Sequence, residues 1–490
     1  MFERLKNHPI LTFFTSAVIV ILALISFVNQ LNYETYALDL GAYTNAMFQY
    51  SNFELADTRV FEQNPKPILS DHFDLYLITF SPLLWLFGSY TLLIVQFLSS
   101  LVGCLGLYRL LRFMGIENAR YAPLYLLSFF GVVSAFGFDY HSNVVAVFLI
   151  PWFLLYLLKG KNTFAGLFFI AILISKENTG LLLGFLLLGV SLDKQFEKIR
   201  WHLWIFGALG IVYSVIVVGL IMPWVEGGNV YSNYKYTVGS NFGDLLSFVL
   251  RNPLEFITLL FGNHIADSDF PVTQIKIEQL VFLVGSGGLL LIRKPWFLIC
   301  LLPILVQKFL HSNVNIVGIG SHYSIEFAMI FALAVPLIIA DLKLPFKSEK
   351  LMILIILVSC GFSIRMMDNS INYIPKGRLR FYQHQHYVRE DIPRNYISDA
   401  IKNIPEEVSV SASSNLVPHL ACRDTIYTFP NVGNAKYIIV GDFNNSYPIT
   451  TEIKDNIIDL LITNNEYRVV QDKNGIQILE RINSFSESIF

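Results

Sequence analysis

The chain is a succession of apolar runs separated by short polar loops, at 10–28, 90–112, 121–138, 143–158, 162–175, 178–192, 202–222, 276–292, 295–310, 322–341 and 350–366. A helix needs about 20 apolar residues to cross a hydrocarbon core of about 30 Å. The run from Ile10 to Val28 meets that length. It is too long for the core of a signal peptide and has no small-residue cleavage site after it, so it reads as a retained anchor. Several later runs hold only about 15 residues and must tilt little or borrow from neighbours. Composition agrees with this reading: 54% of the 490 residues are hydrophobic and 15% charged, against roughly 25% charged in soluble domains. The expected class is mainly α, a polytopic α-helical membrane protein with about 11 transmembrane helices.

Other classes drop out quickly. A formal net charge of −2 gives no global signal for nucleic acid. Four cysteines cannot frame a disulfide scaffold, and Cys422, the one outside an apolar run, has no CxxC or Cys/His spacing for structural zinc.

Loop charges set the orientation. The segment from Phe73 to Phe87 would reach only about 22 Å as a helix, and Pro82 interrupts it. If it stays on the surface, one side collects fifteen basic residues: Arg4, Lys6, Arg109, Arg112, Arg120, Lys159, Lys161, Lys194, Lys198, Arg200, Arg293, Lys294, Lys343, Lys347 and Lys350. The opposite loops before the last span hold four, Arg59, Lys66, Lys235 and Arg251, with Lys176, Lys276 and Lys308 at span edges. If it crossed, the bias would reverse. The expected N-terminus is therefore cytoplasmic, with outer loops 31–89 and 223–275. Residues 1–366 form the membrane domain and 367–490 a soluble extracytoplasmic one. In that tail, strand-like pieces (Val408–Ala412, Thr425–Phe429, Tyr437–Val440), a helical run (Glu452–Leu461) and a hairpin turning at Lys473-Asn474-Gly475 predict a small α/β domain.

The polar residues kept beside the membrane carry the chemistry, since each ionisable group at depth costs about 2.5–3.5 kcal/mol. Asp39 follows the first span. The four- and three-residue spacing of Tyr36, Leu40, Tyr43, Met47 and Tyr50 predicts a helix lying in the interface, with Asp39 off its apolar stripe. Asp39 is then either a charge at a helix start or a general base. Asp71, His72 and Asp74 open the surface segment. Asp39 with Asp71 offers hard oxygen ligands suited to magnesium or manganese, though two carboxylates do not specify a site. Asp139 and His141 mark an outer turn. Lys176 and Glu177 interrupt a 30-residue apolar stretch where the chain must turn, and a lysine there can hold a lipid phosphate. His311 and His322-Tyr323 bracket a late outer loop, with Glu326 spaced to orient His322. Ser413-Ser414-Asn415 reads as helix-start chemistry. Each residue alone has a bland reading as loop, tip or structural pair; their arrival on one face from five segments is the informative feature.

Leu38-Asp39-Leu40-Gly41, Asp71-His72-Phe73, Phe138-Asp139-Tyr140-His141, Lys176-Glu177, His322-Tyr323 and Ser411 to Leu420 together resemble a bacterial family of predicted membrane proteins, domain of unknown function 2079. That family in turn resembles the GT-C glycosyltransferases, which use polyprenyl-phosphate-linked sugars and carry an acidic residue in the first outer loop, where Asp39 stands. The resemblance implies a GT-C-like fold in the plasma (inner) membrane and an outer cavity entered by a lipid donor. Asp39 is the implied catalytic base; Asp71, His72, Asp139, His141, Lys176, Glu177, His322 and Tyr323 are read as substrate-binding. It also leaves a divalent ion optional and the acceptor open. Two motifs of relatives are missing: an adjacent Asp-Glu pair in the first loop and a Trp-Trp-Asp motif in the tail. A transporter or lipid flippase, or a non-catalytic assembly protein, remains a rival reading.

Overall fold

The computed structural model describes residues 8–228, 237–239, 242–265, 269–342, 345, 347–371, 376–390, 392–443 and 447–482. Arg4, Lys6, Lys235, Lys343 and part of the 223–275 loop lie outside the described residues. Every one of the eleven apolar runs contains helix. Length separates them. Pro9–Leu31, Tyr76–Phe113, Lys194–Val225 and Ser348–Asp368 are long and apolar enough to cross a membrane, and the pair Glu117–Ser128 and Phe130–Gly137, bent by 42°, makes a fifth candidate. Helices such as Asn162–Leu173 and Phe297–Phe309 are shorter, at 12 and 13 residues, or about 18–20 Å. By length alone, four or five crossings among the described residues are accounted for, not eleven.

The chain divides into two compact units. The helical unit comprises residues 1–26, 72–75 and 94–381. Its core is built from almost uniformly apolar helices, so side-chain size rather than polarity sets the packing. Gly180 faces Gly210, where an added Cβ would lie 2.2 Å from the Gly210 carbonyl oxygen. This is the small-residue approach that lets membrane helices meet closely. At one set of turns the basic loops are tied by polar contacts. Lys294 Nζ lies 2.7 Å from both Asp193 and Asp341, Arg120 pairs with Glu349, and Asn118 donates to Ser348 Oγ at 3.0 Å. The alternate turns, at 138–141, 174–178 and 310–324, carry the acids and histidines.

The second unit comprises residues 27–71, 76–93 and 382–490. Its sheet has the order β2-β1-β3-β5-β4, with β1 Val410–Ala412, β2 Ile426–Thr428, β3 Tyr437–Gly441, β4 Tyr467–Lys473 and β5 Ile476–Arg481. β1 runs parallel to β2 and β3, whereas β5 is antiparallel to β3 and β4. Asn474 and Gly475 take positive φ, 56° and 73°, the conformation a two-residue hairpin turn demands. The Thr451–Thr463 helix is capped by Thr450 and packs Ile458 and Leu461 onto Ile438, Val440 and Leu479. Both the small α/β region and the mainly helical remainder match the expected fold class.

The expected interfacial helix over 36–50 is not there. Leu38 (ψ 134°) and Asp39 (φ 71°, ψ −96°) break it, and the helix starts at Ala42. Ala42–Asn45 and Gln49 are buried with Met47, so the helix has no free apolar stripe to lay on a membrane. Asn45 explains why a polar face can be buried: its amide donates to the Ala421 and Arg423 carbonyls at 2.9 and 2.8 Å. The Tyr76–Tyr90 segment is a string of short helical pieces rather than one straight helix.

Gly131 couples the helical packing to the turn at 310–324. A Cβ there would stand 2.2 Å from the Ser324 carbonyl oxygen, a backbone atom that cannot step aside. Gly131→Ala is expected to lower stability by about 1–3 kcal/mol, read as a lower melting temperature of the detergent-solubilised protein.

Candidate functional site

Within the helical unit, the stretch His72–Leu75 is fastened by one side chain. Glu177, in the turn between the Asn162–Leu173 and Thr179–Ser191 helices, is 1% exposed. Its Oε1 lies 3.3 Å from His72 Nδ1, and its Oε2 accepts from the Phe73 backbone N–H at 3.1 Å. The Leu75 N–H donates to the Ile174 carbonyl at 2.9 Å, closing the junction. Burial raises the Glu177 pKa, but His72 and Lys176 outweigh it and lower the pKa from 4.5 to about 2.

The second element is an imidazole stack. His141, just before the Ser142–Leu158 helix, and His322, just before Ile325–Asp341, lie face to face with ring centroids 3.3 Å apart and planes 18° apart. Phe138 flanks both, at 5.4 and 5.9 Å, and Tyr323 lies 4.0 Å from His322. The His141 backbone N–H donates to Gln96 Oε1 at 3.0 Å, which fixes the turn. Asp139 pairs with Arg378, both 1% exposed, and Arg378 also lies over the Phe138 ring at 5.5 Å. Breaking one half of such a buried pair costs about 3–5 kcal/mol, because the other charge is stranded.

Cationic groups complete the cluster. Lys308 Nζ donates to the Gly318 carbonyl at 2.8 Å and to Ser324 Oγ at 3.3 Å. Lys176 is half-buried, and among the described residues its ammonium has no hydrogen-bond or ion-pair partner; it is within electrostatic reach of Glu177 and His322. Burial, with His141, Lys176, His72 and Lys308 around it, holds His322 well below the ordinary imidazole value. The ring is neutral near pH 7, one nitrogen carrying a proton to donate. Its Nδ1 has no partner among the described residues. A free ammonium beside a neutral imidazole donor is suited to a phosphate.

Seven expected site residues, His72, Asp139, His141, Lys176, Glu177, His322 and Tyr323, thus lie in the helical unit and are linked there. Asp39 and Asp71 lie in the second unit. Glu326 does not orient His322: the helix begins at Ile325, so the two are not one helical turn apart, and Glu326 Oε1 accepts from Asn143 at 2.7 Å. Among the described residues, no group of three or more His, Cys, Asp or Glu gathers for an ion. Arg378, Gln96 and Lys308 were not singled out from sequence, although Lys308 at a span edge carried a signal.

Asp39 is not a helix-start charge. It sits inside the turn Ala37–Gly41, closed by a Gly41 N–H to Tyr36 carbonyl bond of 3.1 Å. Its φ of 71° with ψ of −96° approaches the rare, strained γ-turn conformation. Such residues cost about 1–3 kcal/mol and persist only where surroundings impose them, commonly at functional sites.

The match to known proteins follows this geometry. Residues 31–478 match the family described as Predicted membrane protein (DUF2079). The chain belongs to that family. It is a multi-pass membrane protein. Among solved structures it is similar to ArnT from Cupriavidus metallidurans bound to undecaprenyl phosphate, with TM-score 0.55 and 12% identity, covering 96% of this chain and 98% of that one. The apo form of the same protein gives 0.51 at 11% identity, over 96% and 97%. The Archaeoglobus fulgidus oligosaccharyltransferase gives 0.41 at 13%, over 88% and 69%. No curated protein matches the chain. Identity this low speaks for the fold alone, and the fold is GT-C-like.

Two outcomes test these assignments. Glu177→Gln is expected to destabilise the protein by about 1–3 kcal/mol. Because its folded pKa is depressed, the ionised carboxylate contributes fully above pH 4.5, and the contribution fades as pH falls toward about 2; denaturation of both forms across that range reads it. Asp39→Gly should relieve backbone strain and stabilise the protein by about 1 kcal/mol, seen as a raised melting temperature.

Proposed function

We propose that this protein is a membrane glycosyltransferase that moves a sugar from a polyprenyl-phosphate-linked donor to an acceptor on the outer face of the bacterial plasma membrane. The observation that carries the reading is the Lys176 ammonium, without a partner among the described residues and gathered with the His141–His322 stack within a GT-C-like helical fold. In this reading the helical unit holds the donor phosphate through Lys176 and the neutral His322, while Glu177 and Asp139 keep the surrounding turns in place through His72, Phe73 and Arg378.

Asp39 is the general base. It takes the acceptor hydroxyl proton as that oxygen attacks the anomeric carbon. The bond from that carbon to the phosphate oxygen breaks, and the lipid phosphate leaves with the electron pair. A single displacement inverts the anomeric centre. The excess of basic residues on the opposite loops supports a cytoplasmic N-terminus and an extracytoplasmic tail.

Purified protein incubated with polyprenyl-phosphate sugars tests the reading. Asp39→Asn is expected to lower transfer by about 10²–10⁴-fold. Lys176→Met should weaken binding of polyprenyl phosphate by about tenfold, the loss of one charge-assisted contact. Undiminished transfer by Asp39→Asn removes it from the base role, and unchanged lipid binding by Lys176→Met removes the phosphate site.

A further inference from the structure

The stretch Ser411–Leu420 stands out in the sequence, yet nothing so far gives it work to do. In the second unit it touches the Asp39 turn at two places. Ser414 Oγ accepts a hydrogen bond from the Ala37 N–H at 3.3 Å, two residues before Asp39. Two residues after it, Gly41 comes so close to the stretch that an added Cβ would lie 2.9 Å from Val417 Cγ1 and 3.5 Å from the Pro418 nitrogen.

The stretch itself is fixed from behind. The Ser413 N–H donates to the Ile439 carbonyl on β3 at 3.0 Å, and Ser413 Oγ accepts from the Gly441 N–H at 3.2 Å. These hydroxyls are therefore cross-links, not helix-start caps: the Val417–Leu420 turn is preceded by Leu416 and has no side-chain cap. Leu416, Val417 and Leu420 are fully buried. The His419 ring lies 4.3 Å from Tyr33, and Asn45, just past the turn, binds the carbonyls of Ala421 and Arg423.

We propose that Ser411–Leu420 is a brace that forces Asp39 into its strained conformer, with Ser414 and Val417 as positioning residues of the base. A turn that an isolated peptide would abandon is held because its two ends are attached to one rigid segment, itself hydrogen-bonded to the sheet. Ser414 fixes the peptide entering the turn and Val417 blocks relaxation at its exit. The soluble tail then serves the chemistry by holding a carboxylate two residues from each contact. This proposal rests on the reading of Asp39 as base.

The test uses full-length protein in nanodiscs, with Ser414→Ala, Ser414→Thr, Val417→Ala and Asp39→Asn. Ser414→Ala and Val417→Ala are expected to lower kcat by about 10- to 100-fold, with donor KM and lipid binding within about twofold of wild type, since neither residue contacts donor. Ser414→Thr, which keeps the hydroxyl, should restore kcat. Hydrogen exchange of the peptide containing Ala37 should quicken in Ser414→Ala and not in Ser414→Thr. In an Asp39→Asn background, Ser414→Ala should cost nothing more, because the two act as a unit. Wild-type kcat in both Ser414→Ala and Val417→Ala, with Asp39→Asn inactive, overturns the brace and leaves the base. Full activity of Asp39→Asn overturns both. If Ser414→Ala fails to fold, Val417→Ala and Ser414→Thr still decide: a KM effect with unchanged kcat in Val417→Ala goes against the brace.

Discussion

An apolar helical unit tolerates ionisable groups only where each one is answered, and that constraint shapes the whole helical half of this protein. Asp139 is met by Arg378, Glu177 by His72 and the Phe73 amide, and Lys308 by a carbonyl and a hydroxyl. The answers to Asp139 and Glu177 come from distant stretches, so neutralising those charges also draws the turns together. The same rule makes Lys176 conspicuous, since among the described residues its ammonium has no hydrogen-bond or ion-pair partner. The basic turns follow the rule where Lys294 meets both Asp193 and Asp341.

The second unit solves a different problem. It has a sheet, a capped helix and its own core, so it can hold a backbone that a flexible loop could not. Asp39 in its left-handed conformer is a cost that this rigidity offsets, and the packing of Gly41 on Val417 shows where the rigidity is applied. Strain placed at a carboxylate, away from the core, is the usual mark of a group whose orientation matters more than its comfort.

Much of this was legible in the sequence, for identifiable reasons. Apolar runs located the helices because lipid-facing and core-facing positions alike demand apolar side chains. The Asn474-Gly475 hairpin and the strand pieces of the tail were legible because turn chemistry and alternation are local. What failed was periodicity taken alone. Tyr36 to Tyr50 has helical spacing, but spacing cannot report a broken backbone at Leu38-Asp39, nor that Asn45 finds carbonyls 376 and 378 residues away. Likewise Glu326 is spaced to serve His322 only if both lie on one helix, and the helix begins between them. Arg378 was invisible because its partner is 239 residues distant and nothing near it in the chain is unusual.

The second unit is assembled from the beginning and the end of the polypeptide, with nearly 300 residues of helical unit inserted between its halves. During synthesis the segment around Asp39 leaves the ribosome early and must wait for its partners: Asn32 for His386, Ala37 for Ser414, Val60 for Thr428. Such contacts between remote stretches form late and slowly. The Asp39 turn therefore takes its final form only once Ser411–Leu420 has been synthesised and has joined the sheet.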